Sequence, residues 1–370
     1  NGRLTVTPEI YWNTTKDLLY KSDIPSATGY VSQMQNIGQV TNKGVELTIS
    51  GDILSGRDYV LSANLSLGMN KMKVDKLNGT DNVIWDQNNR WKSSYNDYCL
   101  KVGDQVGLIY GFVYDGLYSM DEFYFDPTNN LQAVPWGSTA AENGTSKDAP
   151  IMDADGVEHP KTIINQISGD SNSGIATLPG KVKFKDLNGD NKITTEDRTI
   201  IGNANPDFIF GIGNDFSYKN FDLSFMFQGT YGNDVYNLLK VTFSELPSNS
   251  NNTGNAFAFV KDSWRGEGTS NTQQAFNKGV GPSSSRFVED GSYIRLKNLT
   301  FGYTLPKSVT SKWGISNLRF YLSGQNLFTI TGYSGYDPEV SSRTGNYNLG
   351  FDGGSYPATR SYTFGLNLTL

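Results

Sequence analysis

The chain of 370 residues contains a single cysteine, Cys99, and a single histidine, His159. One cysteine excludes an internal disulfide, and we expect Cys99 to be an isolated thiol. One histidine argues against a histidine-based catalytic triad and against a zinc site with several histidine ligands. These two shortages therefore exclude much of the usual enzyme and metal-site chemistry.

Long apolar runs and basic runs are also missing. No apolar segment approaches the roughly 20 residues that a membrane-spanning helix needs, and the mean hydropathy is −0.45. The formal net charge is −6 without a cluster of Lys and Arg, which argues against a nucleic-acid partner. What is abundant is 40 Gly, 21 Tyr and 20 Phe. This composition suits long strands joined by large polar loops.

The last residues of the chain form an unbroken alternation. From Tyr362 to Leu370 the apolar side chains occupy every second position, with Thr, Gly and Asn between them. A period of two predicts a strand with one apolar and one polar face. A chain that ends on such a strand is typical of an outer-membrane β-barrel, in which the last strand closes the barrel.

Similar alternation recurs along the sequence and predicts about eight strands. The predicted spans are about 4–13, 45–50, 59–70, 208–218, 221–231, 292–305, 317–330 and 362–370. We expect most of the full strands to reach about 12–16 residues, since a tilted strand that crosses a bilayer is longer than the usual strand of about five or six. The fold class predicted is all-β, an antiparallel transmembrane barrel segment.

The predicted connections alternate between short and long. The shorter ones are 53–57, 219–220 and 306–316, and the longer ones are about 14–41, 73–206, 232–291 and 331–357. Outer-membrane barrels combine short periplasmic turns with long extracellular loops. The short connections all fall on the side of Leu370, so we expect a periplasmic C-terminus.

Aromatic residues gather near the predicted strand ends. They are Tyr11, Trp12, Tyr218, Phe221, Tyr231, Tyr236, Tyr303, Tyr333 and Tyr336. This placement indicates aromatic girdles at the two membrane interfaces. The alternative is the general preference of aromatic residues for strands.

One local motif predicts a metal site. Oxygen ligands at positions 1, 3, 5, 7, 9 and 12 are those of a calcium-binding loop. Here these positions are Asp186, Asn188, Asp190, Lys192 (through its carbonyl), Thr194 and Asp197. A bound Ca²⁺ would brace an external loop and take no part in catalysis. The alternative is an Asx-rich turn whose carboxylates bond their own backbone.

The longest predicted loop is rich in aromatic residues. Trp85, Trp91 and Trp136 are candidates for substrate contact, because exposed aromatic rings stack on sugars or cap peptides. The alternative, favoured for most of these residues, is that a large loop region folds on itself and buries them.

Several segments together resemble SusC/RagA-type TonB-dependent outer-membrane transporters. They are NKGVELTISGDI (42–53), VGDQVGLIYGFVYDGLYS (102–119), LPGKVKFKDLNGDNKITTEDRTIIGNANPDF (178–208), the strand pair that follows to 237, GSYIRLKNLTFGYTLPKSV (291–309), LRFYLSGQNLFTITGYSGYDPEV (318–340) and the closing SYTFGLNLTL. The matching segments are spread over nearly the whole chain and keep the order of the family.

The resemblance implies a fold and a function. Family members are larger, with a barrel of 22 strands, a plug and a TonB-contacting segment. The chain, 1–370, resembles their C-terminal part, with about eight strands and a large extracellular loop region at about 73–206, and nothing in it resembles the plug or the TonB box. The implied function is TonB-dependent uptake of oligosaccharides or oligopeptides across the outer membrane. The implied partners are a SusD-like lipoprotein, TonB, membrane lipid and the substrate.

Two other functions remain open. A small structural or adhesive outer-membrane barrel would begin at Asn1 and insert alone. A barrel enzyme would need a nucleophile and a base on the outer wall, which the lone His159 disfavours. We therefore expect no enzyme activity.

Overall fold

A computed structural model describes most of the predicted strands and part of the long connections. The described residues are 3–23, 29, 32–36, 38–77, 83–85, 98–119, 123–126, 132–135, 151–152, 158–159, 180–189, 193–244, 254–266, 268–275, 280–339 and 349–370. Within them, no helix is both long enough and apolar enough to span a membrane.

One antiparallel sheet, here called the wall, dominates the structure. Its eight main strands are β1 (Leu4–Lys16), β2 (Gln39–Ser55), β3 (Tyr59–Lys76), β4 (Phe208–Tyr218), β5 (Phe221–Tyr231), β6 (Tyr293–Thr304), β7 (Asn317–Gln325) and β8 (Ser361–Thr369). They are hydrogen-bonded in that order, each to the next, and a short ninth strand, Thr329–Thr331, pairs with β6. The up-and-down order is that of a barrel wall, and it confirms the predicted fold class.

Apart from bulges between β2 and β3 and between β5 and β6, the register of the wall places every second residue on the same face across the eight strands. Leu65 of β3, for example, lies opposite Ile49 of β2 and Ile212 of β4. On the neighbouring strands Phe225 pairs with Leu299, and Leu322 of β7 pairs with Phe364 of β8. The apolar side chains therefore form one continuous face, here called the outward face.

The outward face is exposed although it is apolar. Ile10 is 83% exposed and Phe364 is 73% exposed. The opposite, inward face carries polar residues such as Ser66, Asp222 and Thr300. A continuous apolar surface of this extent is incompatible with water and fits the hydrocarbon core of a bilayer.

The connections sort by length onto two sides of the wall. The turn side carries the short connections 56–58 and 219–220 and the compact segment 305–316. The loop side carries 17–38, 77–207, 232–292 and the connection from β7 to β8. The C-terminal end of β8 lies on the turn side, because Thr369 pairs with Asn317 at the start of β7.

Short elements fill the described parts of the connections. The strands are Leu19–Asp23, Ser32–Asn36, Val83–Trp85, Cys99–Lys101, Leu108–Phe112, Tyr114–Leu117, Phe123–Asp126, Gln132–Pro135, Ile151–Met152, Glu158–His159, Val182–Phe184, Arg198–Asn203, Asp234–Asn237, Val288–Asp290 and Phe351–Asp352. The α-helices are Leu238–Thr242 and Lys307–Thr310, and the 3₁₀-helices are Thr195–Asp197, Ala258–Asp262, Ser285–Phe287 and Ser311–Trp313.

The loop side has its own hydrophobic core, here called the loop cap. Its main cluster consists of Tyr98, Ile109, Tyr236, Val241, Val280, Phe287 and Phe351. A second cluster consists of Phe112, Val182, Phe184 and Ile193. The loop-side connections therefore pack against one another as a folded layer.

Three expectations differ from the structure. The wall strands range from 9 to 18 residues, a wider spread than predicted. The predicted strand 317–330 is interrupted after Gln325, because Asn326 adopts a left-handed conformation with φ of 51°. Tyr236 and Tyr333 are buried in the loop cap and take no part in a girdle.

Candidate functional site

An ion pair on the inward face joins three wall strands. The Arg319 guanidinium of β7 donates to both carboxylate oxygens of Asp222 on β5, with Nε–Oδ1 at 2.9 Å and Nη2–Oδ2 at 2.5 Å. Gly302 of β6 lies between them, and a Cβ there would approach the Asp222 and Arg319 atoms to 2.4–2.5 Å. Glycine at 302 therefore makes this two-point pairing across a strand possible.

Tyrosine rings also lie along the inward face. The ring of Tyr321 covers Gly365 of β8, where a Cβ would meet its Cζ at 2.1 Å. The Arg319 guanidinium lies 5.2 Å from the centre of the same ring. Tyr11 of β1 lies on the same face and donates to Asn70 Oδ1 at 3.1 Å. The inward face is therefore a polar and aromatic surface.

A buried arginine anchors the loop cap to the wall. Arg295, 2% exposed at the loop-side end of β6, contacts Asp337 Oδ1 at 2.5 Å and Glu339 Oε2 at 2.7 Å. Lys297 also pairs with Glu339, at 2.8 Å. Burying a charge is costly unless it is paired and hydrogen-bonded. Arg295 is satisfied only when the segment around 337–339 is in place.

The carboxylate of Asp337 ties the same segment to the start of β8. It accepts backbone N–H groups of Glu339 and Ala358, each at 2.9 Å. Burial raises the pKa of Asp337, but these hydrogen bonds and the Arg295 charge outweigh it and hold the pKa below its usual range. Asp337 therefore favours its ionised, bonded form.

Glu289 forms the second anchor of this connection. It pairs with Lys240 at 3.1 Å and accepts the Ser334 N–H and hydroxyl, each at 2.9 Å. Burial raises the pKa of Glu289, but the hydrogen bonds from Ser334 and Lys240 together lower it by more than burial raises it. The pKa of Glu289 therefore lies below its usual range. Nearby, the Tyr333 hydroxyl donates to buried Asp352 at 2.6 Å, and burial together with that carboxylate raises the pKa of Tyr333.

A cavity of about 370 Å³ opens beside this anchor. Its apolar wall includes Leu239, Phe257, Phe259 and Tyr336, and its polar wall includes Asn237, Lys240 and Ser334. Phe257 packs edge-on against Phe243, with ring centres 5.6 Å apart, which fixes one wall. Tyr336 is 68% exposed, so its ring is available to a ligand. The cavity offers aromatic surface beside hydrogen-bonding groups.

The predicted calcium loop is described only in part. Asp190 and Lys192 lie outside the described residues. Asp197 is fully buried, and its Oδ1 accepts Leu187 N at 2.8 Å while its Oδ2 accepts Thr194 N at 2.6 Å. Asp186 Oδ1 accepts Gly189 N at 2.7 Å, and the Thr194 hydroxyl accepts Glu196 N at 3.2 Å. The side-chain amide of Asn188 donates to Glu196 Oε2 at 3.4 Å. These bonds are those of the Asx-rich turn, and the calcium site stays a prediction.

The tryptophans predicted from the sequence are largely beyond the described parts. Trp85 ends the strand Val83–Trp85, whereas Trp91 and Trp136 lie outside the described residues. Sequence reasoning missed the cavity, because Phe257 and Phe259 stand in no periodic pattern with Tyr336, some 80 residues away.

Cys99 is 7% exposed, which fits the predicted isolated thiol. Burial and the nearby Asp104 raise its pKa to about 11. In the described part of the chain, no group of three or more His, Cys, Asp and Glu side chains is arranged to hold a metal ion.

Comparison with known proteins identifies relatives over the whole chain. TonB-dependent receptor P3 of Formosa agariphila is 34% identical over 373 residues, which is 100% of the chain and 32% of that receptor. TonB-dependent receptor SusC of Bacteroides thetaiotaomicron is 27% identical over 377 residues, covering 100% of the chain and 30% of that receptor. The chain thus spans about a third of the length of these relatives. No protein-family model matches it.

Solved structures agree on the fold. The RagAB peptide transporter structure matches with a TM-score of 0.69 and 21% identity over 100% of the chain and 34% of the matched chain. A RagAB peptide importer in its open-open state matches with a TM-score of 0.67. The solved structures share the fold of the wall, and the 34% identity to receptor P3 over the whole chain shows that the chain belongs to the TonB-dependent receptors.

Proposed function

We propose that the receptor containing this chain takes up oligosaccharides or oligopeptides across the bacterial outer membrane, energised by TonB. The single observation that carries the proposal is the pairing of a continuous apolar outward face with a polar, aromatic inward face. Such a wall separates lipid from a route for polar solutes. Its membership of the receptor family supports transport over catalysis.

In this proposal the chain supplies the C-terminal barrel wall and external loops, with about 73–206 as the large loop region. The plug and the TonB-contacting segment belong to the rest of the receptor. The loop side faces the outside and the C-terminus faces the periplasm. The sorting of long connections onto one side supports this orientation.

We propose two partners for the loop side. A SusD-like lipoprotein covers the loop cap, and the substrate contacts the cavity beside Tyr336. The likeness to the RagAB peptide transporter supports an oligopeptide as one substrate class. SusC among the relatives supports the SusD-like partner. We also propose that Ca²⁺ braces the loop 186–197.

Uptake by cells tests the proposal. Cells lacking the full-length receptor gene are supplied with wild type, with Phe259→Ala/Tyr336→Ala or with Tyr356→Ala, and given fluorescent oligosaccharides or oligopeptides. Tyr356 is the matched control, because it is 85% exposed in the same connection but lies outside the cavity. We expect wild type and Tyr356→Ala to import one class of label, and the double variant to import it roughly tenfold more slowly, since each aromatic contact is worth about 0.5–1.5 kcal/mol.

The same assay separates the alternatives. Label that binds the cell surface but never enters, with or without TonB, would contradict transport and favour an adhesive barrel. If purified receptor cleaves or modifies the label, the result would favour a barrel enzyme.

A further inference from the structure

A cluster of lysines lies on the outward face of β1, β2 and β3, at its loop-side end. It consists of Lys16, Lys43, Lys71 and Lys73, and it is here called the basic rim. The register defines the face: Lys43 lies opposite Trp12 of β1 and opposite Lys71 of β3, while Lys73 lies opposite Thr41. All four lysines are exposed.

The rim begins where the apolar band ends. The row of the wall just below it consists of Ile10, Val45 and Met69, which are 83%, 47% and 44% exposed on the outward face. The next row on the same face is Trp12, Lys43 and Lys71. A step from exposed aliphatic residues to tryptophan and lysine is the signature of the boundary between hydrocarbon and headgroups.

Neighbouring strands fix the height of this boundary independently. Phe208 of β4 and Tyr231 of β5 pair at the loop-side ends of their strands, with ring centres 5.1 Å apart in a stacked arrangement. Both rings belong to the outward face, and because Ile209 lies opposite Gly68, Phe208 falls at the level of Met69 of β3, one row before the lysines. Aromatic residues are enriched at membrane interfaces. The lysines thus lie at headgroup depth.

Within the described part of the chain, the lysines face one another without a direct ion pair. Lys43 and Lys71 are directly opposite, and like charges at that spacing, about 4.5–5.5 Å between Cβ atoms, destabilise a sheet. In the described residues no ion pair joins any of the four to an acid. The nearby Asp75 carboxylate interacts with the charges of Lys43 and Lys73, while it accepts hydrogen bonds from Gln39 at 3.2 Å and from Thr41 at 2.5 Å.

One lysine is already ordered toward the membrane. The Lys43 ammonium lies 3.6 Å from the centre of the Trp12 ring, which is itself 70% exposed on the outward face. A cation held over an indole at an interface is positioned to meet an anionic group. The four lysines occupy three successive rows, about 14 Å along the strands, and three strands, about 10 Å across them, so their long side chains can reach one phosphorylated glycolipid headgroup.

We propose that the basic rim binds the phosphate groups of lipid headgroups in the leaflet that meets the loop side. The phosphate removes the repulsion between Lys43 and Lys71, while its acyl chains lie on the apolar row of Ile10, Val45 and Met69. The site lies on the outside of the wall, so it is separate from the proposed transport route.

Native mass spectrometry of the full-length receptor in detergent tests the proposal. The probe is a phosphorylated glycolipid, compared with the same lipid after its phosphates have been removed. A basic residue near an anionic surface contributes roughly fivefold in affinity. We therefore expect Lys43→Gln/Lys71→Gln to bind the phosphorylated lipid about 25-fold more weakly than wild type, and Lys43→Arg/Lys71→Arg to bind it like wild type.

A pair of lysines at the turn-side end of the wall provides the matched control. Lys307 and Lys312 are exposed in the turn-side segment, and Lys307→Gln/Lys312→Gln removes the same charge. This control should keep the wild-type affinity. If the rim double variant does not assemble, each single Gln variant should still lose about fivefold. Equal affinity of the rim variants and wild type, or equal binding of the dephosphorylated lipid by wild type, would overturn the proposal.

Discussion

Both carboxylate oxygens of Asp197 accept backbone N–H groups across the loop that begins at Asp186. The loop is therefore held closed by the side chain of Asp197, which is also the last ligand position of the calcium motif. What the motif leaves open is whether a cation shares that oxygen, because a self-bonded turn uses the same residue types.

Calorimetry with Ca²⁺ distinguishes a calcium site from a turn that bonds only its own backbone. We expect Ca²⁺ added to the full-length receptor to give a binding heat that is absent in Asp186→Ala/Asp190→Ala, since two of the predicted side-chain ligands are then lost. Asp115→Ala, which removes an exposed acid from a neighbouring strand, should leave the heat unchanged. Equal heats in receptor and double variant would leave the turn as the only role of these residues.

At the scale of the element, alternation is the signal that predicts most. It assigns Leu65, Ile212 and Phe364 to one face of their strands, and the register confirms that these positions share the outward face. Alternation fails where a single backbone angle interrupts a strand, as at Asn326. It is also silent about contacts between distant loops, such as Arg295 with Asp337, because neither residue stands in a repeating pattern.

A charge placed on either face of one strand tests the face assignment. Leu65→Lys places a charge near the middle of the outward face of β3, and Ser66→Lys places it one residue on, toward the inward face. We expect Leu65→Lys to lower the free energy of unfolding by about 2–4 kcal/mol. Ser66→Lys should change it much less, because that face meets water.

Urea unfolding of the full-length receptor in lipid vesicles gives the comparison. If the two variants lose the same stability, the outward face does not lie in hydrocarbon. A larger loss for Ser66→Lys would reverse the two faces.

At the scale of the whole molecule, the attachment of the loop cap to the wall depends on carboxylates that must be ionised. The pKa values of Asp337 and Glu289 are lowered in the folded protein, so both stabilise it above the usual carboxyl range of about 4 and cease to do so below it. The contribution of Asp234 to stability has the opposite pH dependence. Burial raises the pKa of this carboxyl, so its protonation as the pH falls favours the folded state.

Acid should therefore loosen the connection between β7 and β8 before it affects the wall. Hydrogen exchange, corrected for intrinsic rates, gives the opening free energy of the amides in 331–339. We expect this free energy to stay constant between pH 7 and about pH 5 and to decrease when the pH falls below about 4. In Asp337→Asn/Glu289→Gln the amides should be less protected at pH 7, with a much smaller acid step. A step of the same size in this variant would assign the loosening to other groups.

The buried thiol of Cys99 has a practical consequence for studying this receptor. A thiol that is 7% exposed, with its pKa raised to about 11, forms little of the thiolate that maleimide reagents attack. Cysteines introduced at Tyr336 on the cavity and at Thr300 on the inward face can therefore be labelled selectively in this part of the chain. Pairs of spectroscopic probes at such positions would report the distance between loop and wall while substrate is added.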